Sequence, residues 1–90
     1  MEWDLTDPDL PRTVRDAVDY LMQDLGEDTL AEIRATDYDD LINFHFSLGI
    51  VIRRIFMLQE NLPLMEDSGA SNPDDASLKI IQALWRRMRH

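Results

Sequence analysis

Residues 38–59 read YDDLINFHFSLGIVIRRIFMLQ, and the assignment of this stretch decides the fold. Leu41, Phe44, Leu48, Ile52 and Ile55 recur at intervals of three and four, the period of a helix. Asp37 can cap that helix, with Asp39 and Asp40 in the first turn where the helix dipole favours negative charge. Residues 48–56 are β-branched enough to imitate a strand, but their flanks continue the helical period. The spacing therefore predicts one long helix over 38–59. A second apolar set, Ile42, Phe46, Ile50 and Phe56, lies elsewhere around that cylinder. A helix apolar on more than one side is normally packed on more than one side, so this third helix is expected to be central and largely buried.

Working outward, the flanking segments carry their own helix signals. Residues 1–12 hold Pro8 and Pro11 among four acids and read as an irregular lead-in, with Trp3 and Leu5 available as anchors. Thr13 with Asp16 resembles a capping box; Val14, Ala17, Val18 and Leu21 then recur helically as far as Leu25, and Gly26 is a natural stop. Asp28 or Thr29 can start a short second helix ending near Thr36. Residues 60–72, with Pro63, Ser68, Gly69 and Ser71, read as a loop lying on the core through Leu62, Leu64 and Met65. Asn72-Pro73-Asp74-Asp75 is a strong helix start, and the last helix presents Ser77, Ile80, Ile81, Leu84 and Met88 inward. The expectation is an all-α, compact four-helix domain with helices near 13–25, 28–36, 38–59 and 73–88.

Composition narrows the function. Ninety residues make one small domain, and the absence of cysteine removes a disulfide framework, a thiolate zinc site and a cysteine nucleophile. The start, Met1-Glu2-Trp3-Asp4, lacks the basic opening and apolar middle of a signal peptide, and no apolar run reaches the roughly 18 residues of a membrane span. A cytoplasmic setting without membrane attachment is expected. The formal charge is −9, which argues against nucleic acid as the main partner. It is uneven: residues 1–45 hold 13 acids and 3 bases, while residues 46–90 hold 5 and 6. Asp16, Asp19, Asp24 and Glu27, on or beside the polar face of the first helix, are the candidate interface for a basic protein partner.

One polar stripe needs a separate reason. His45, Gly49 and Arg53 fall at i, i+4 and i+8, and a glycine inside a helix costs roughly 1 kcal/mol relative to alanine. Close approach of another element at Gly49, with a buried Arg53 paired to a carboxylate, of which Asp74, Asp75, Asp39 and Asp40 are candidates and Asp74 or Asp75 at the start of the last helix the first choice, gives a structural seam. The alternative is a small-ligand or catalytic pocket built around His45 and Arg53. Neither a metal nor a cofactor is expected: His45 and His90 are the only histidines, no ligand spacing occurs, and the paired carboxylates sit at helix starts. No nucleophile motif is present. Arg86, Arg87, Arg89 and His90 oppose the dipole at the end of the last helix, with Trp85 at the core boundary.

Three runs together, PRTVRDAVDYL at 11–21, DLINFHFSLGIVIRRIF at 40–56 and PDDASLKIIQALW at 73–85, resemble a family of small bacterial domains of unassigned function. The resemblance spans roughly residues 11–88 and is most specific in H-F-x-L-G-x-x-I-R and P-D-D-A-S. It implies that His45, Gly49, Arg53, Asp74, Asp75, Ser77 and Trp85 occupy signature positions. The family pattern places an aromatic after Leu58, where this chain has Gln59. The resemblance implies a compact helical domain and supports nothing enzymatic; size, charge asymmetry, missing catalytic motifs and a cytoplasmic setting give the reading, a non-enzymatic interaction module, for instance an immunity or inhibitor protein.

Overall fold

A computed structural model describes residues 3–89. Met1, Glu2 and His90 lie outside the described residues, and with them the start of the N-terminal reading and the terminal histidine assigned to the last helix. Every regular element among the described residues is helical. In chain order these are α1 Val14–Asp24, α2 Glu27–Ala35, a 3₁₀ helix η1 Tyr38–Phe44, α3 Leu48–Ile55, α4 Leu62–Ser68 and α5 Pro73–Met88. Among the described residues there are six helices rather than four.

The caps explain most of the boundaries. Thr13 accepts from the Asp16 N–H to start α1, and Asn72 accepts from the Asp75 N–H at 2.8 Å to start α5, with Pro73 at the first helical position. Gly26 both follows α1 and stands directly before α2, so α2 begins at Glu27 without a side-chain cap. A tertiary cap supplements Thr13: the Val14 N–H donates to the Asp67 carboxylate of α4 at 2.7 Å.

The expected helix over 38–59 is three pieces: η1, a turn and α3. Residues 43–47, Asn-Phe-His-Phe-Ser, all have low helix propensity, and Ser47 turns its N–H and its hydroxyl onto the Phe44 carbonyl at 3.2 and 3.3 Å. That local bonding competes with the helical ladder and ends it. At its other end α3 stops at Ile55, because the Met57 N–H returns to the Arg54 carbonyl and the Leu58 N–H to the Arg53 carbonyl. This is a Schellman closure, with Met57 at φ 53° in the position usually given to glycine. The segment read as a loop, 60–72, contains α4. Its cap Asn61 is buried, accepts from the Leu64 N–H, and donates its amide to the carbonyls of Pro11 and Phe56 at 2.9 and 3.0 Å.

The centre of the molecule is α5, not the third helix. It packs against α1, α2, η1, α3 and α4, and it buries Ala76, Ser77, Ile80, Ile81 and Leu84. Leu21 of α1, Ile33 of α2, Leu41 of η1, Ile52 of α3 and Leu64 of α4 close the core around it. The lead-in is held by Trp3, which stacks on Phe56 at 6.1 Å and meets Tyr20 edge-on at 4.6 Å, and by buried Leu10; Leu5 is exposed. Of the second apolar set in residues 38–59, Phe56 is buried, but Ile42, Phe46 and Ile50 face solvent at 52, 83 and 42% exposure.

Candidate interaction surface

On α1 and the start of α2 the structure places Asp16, Asp24 and Glu27 in solvent. Asp19 differs from them. It is half-buried and forms an ion pair with Arg87 of α5, a cation supplied from 68 residues away in sequence. Asp24 lies against Tyr20, whose hydroxyl is pushed above its ordinary pKa by burial first and by the Asp24 charge and hydrogen bond second. Asp4, at the exposed lead-in, is held below its ordinary value by the hydroxyl and N–H of Thr6.

Some of the cations have other partners, while exposed Arg15 of α1, next to Asp16, and exposed Arg34 of α2, which lines a groove with Glu27 and Asp28, form no ion pair and leave the face mixed at its edges. Arg12 donates to the carbonyls of Leu5, Asp7 and Leu10. Arg86 donates to the Tyr38 hydroxyl at 3.0 Å, and Arg89 donates to the Arg34 carbonyl while lying 4.1 Å over the Trp85 ring. Trp85 itself is half-buried, packed edge-on against Tyr38, with its indole N–H on the Thr36 carbonyl at 2.8 Å. The arginines at the end of α5 therefore stitch α5 to α1, α2 and η1 rather than merely opposing its dipole. Sequence distance hid all of these contacts. Among the described residues the ion pairs are Arg87–Asp19 and Arg53–Asp74, and the other described carboxylates lack one.

The Arg53 seam exists without its histidine. Arg53 reaches Asp74 at 3.2 Å and lies 3.5 Å from the Ser77 hydroxyl, which in turn donates to the Asp74 carbonyl. Gly49 is buried where α3 meets α5. A Cβ there would stand 3.4 Å from the Phe44 carbonyl, 3.5 Å from the Ser77 hydroxyl and 3.6 Å from the Arg53 guanidinium, ordinary contact that admits alanine. Asp75 is half-buried, its N–H spent on the Asn72 cap. The pair is not buried as expected, since the Asp74 side chain is 66% exposed. His45 stands in the turn before α3, edge-on to Phe46 at 4.7 Å, so the break in the helix removes the i, i+4, i+8 stripe. The open groove of about 610 Å³ beside Arg53 is lined by Ile50, Arg54, Met57, Glu60 and Asp74 among others, and His45 does not reach it.

The described residues thus form a small all-helical domain whose two ion pairs lie apart from one another. Residues 10–88 match the family described as a domain of unknown function (DUF6794), and the chain belongs to that family. Neither the curated proteins nor the solved structures give a match. No helix among the described residues is long and apolar enough to cross a membrane.

Proposed function

We propose that this domain is a non-enzymatic protein-interaction module that takes a basic protein partner on the acidic face of α1 and the start of α2, as an immunity or inhibitor protein would, and that it does so in a bacterial cytoplasm. What carries the reading is the solvent-facing, unpaired state of Asp16, Asp24 and Glu27, while Arg12, Arg86 and Arg89 spend their donors on uncharged groups. A face with one sign in excess raises encounter rates with an oppositely charged protein by roughly ten-fold or more at low salt, at the cost of self-repulsion in the fold.

The test starts from the partner recovered by affinity capture in the native cell and measures its association kinetics. Lysine at Asp16, Asp24 and Glu27 together should slow association about ten-fold at low salt and leave the dissociation rate nearly unchanged. Asp19 is left alone, because reversing it would place a cation beside Arg87. Normal binding by the triple variant would sink the proposal. So would loss of an activity in a His45→Ala protein that still melts like the wild type, an outcome that favours a ligand or catalytic role for His45.

A further inference from the structure

Of the apolar set that residues 38–59 present on their second side, Phe56 is buried, while the other three stay in solvent among the described residues. Ile42 is 52% exposed, Phe46 83%, Ile50 42% and Val51 47%. They follow one another along η1, the turn and α3. In a 3₁₀ helix residues three apart stand in a row, which aligns Asp39 with Ile42 and Asp40 with Asn43, and exposed Phe46 follows in the turn after η1. On α3, Gly49 and Ile52 are buried while Ile50, Val51 and Arg54 are exposed, Ile50 and Arg54 along the groove that runs to the start of α5. Contiguous exposed apolar surface on a small domain marks an interaction site more often than chance scatter does.

The direction of this ridge is set by its contacts along α5. Tyr38 packs on Trp85 and accepts from Arg86, so η1 begins at the C-terminal end of α5. Arg53 pairs with Asp74, so α3 ends at the N-terminal end of α5. Those two places are about 16 Å apart at 1.5 Å per residue. The outer face therefore runs from exposed Asp39 and Asp40, over an apolar centre, to exposed Arg54. Turned through a two-fold axis at its centre, that face is complementary to itself: acids meet arginine at both ends and Phe46 and Ile50 meet their counterparts in the middle.

We propose that the outer face of η1 and α3 is an isologous interface that pairs two copies of this chain, antiparallel, with Asp39 and Asp40 of one opposite Arg54 of the other. This surface is separate from the acidic face of α1. A ridge of this length lies at the small end of specific interfaces, so the dimer is weak, micromolar or above. Two copies of charge −9 repel, and screening that repulsion strengthens the dimer as salt rises, opposite to capture of a basic partner.

Sedimentation equilibrium of the full chain up to about 0.5 mM, at about 0.15 M salt, tests the pairing. The wild type should show a monomer–dimer equilibrium. Phe46→Ser, at a position so exposed that the fold does not depend on it, should weaken the dimer about ten-fold or more while melting unchanged. Arg54→Glu should weaken it, and so should Asp39→Lys with Asp40→Lys. Combining the three reversals should restore it. A wild type that stays monomeric throughout overturns the proposal, as does a dimer indifferent to Phe46→Ser. A dimer that Phe46→Ser weakens but the combined reversals fail to restore overturns the antiparallel two-fold arrangement.

Discussion

Met57 shows how a single residue can be misplaced by local preference and held by its neighbours. Its φ of 53° is a left-handed conformation that costs an L-residue roughly 1–2 kcal/mol, and it persists because the N–H groups of Met57 and Leu58 close α3 and Leu58 is then fully buried. Met57→Gly should raise stability to denaturant by up to about 1 kcal/mol, because relief of strain outweighs the extra flexibility glycine brings to the unfolded chain. Met57→Val, β-branched in the same conformation, should lower it. Met57 carries no signal in the sequence, and Asn61, with Pro63 two residues on, marks only a helix start. Methionine is not a turn residue, and a lone asparagine in a loop gives no hint that two distant carbonyls will converge on its amide.

Among elements, the meeting of α3 with α5 is where the sequence expectation and the structure can be compared in energy. Pairing of Arg53 with the start of α5, and closeness at Gly49, could be anticipated from residue type, since an internal glycine and a flanking guanidinium both require a neighbour. Burial could not be anticipated. With Arg53 22% and Asp74 66% exposed, water screens the pair, and the 3 to 5 kcal/mol typical of breaking a buried pair does not apply. Arg53→Met should cost about 1 kcal/mol or less in chemical denaturation, and a loss of several would show that the guanidinium is holding more than Asp74. The split of residues 38–59 has the same origin. Periodicity reports which side of a segment is apolar, and it says nothing of whether Ser47 will take the Phe44 carbonyl from the ladder.

For the whole molecule, charge is the dominant feature that folding leaves unresolved. Eighteen acids face nine bases in the sequence, and two ion pairs form among the described residues. Self-repulsion of that surface should therefore outweigh the pairs. The melting midpoint should rise between about 10 mM and 0.3 M salt, measured at low protein concentration so that self-association does not contribute. A midpoint that falls with salt would mean that local attractions dominate. The core itself, built on Ile80, Ile81 and Leu84 of α5, is insensitive to this screening because its stabilisation comes from apolar burial.

By itself the sequence determined the helical class, the caps of α1 and α5, the inward stripe of the last helix and the excess of acid in the first half. All of these follow from residues within a few positions of one another, where propensity, capping and period act. Tertiary structure decided which element is central, where the long third segment breaks, that Arg87 comes back to Asp19, and that Ile42, Phe46 and Ile50 stay in water. Each depends on which faces meet in space, and an apolar face looks the same in sequence whether its own chain covers it or leaves it for another.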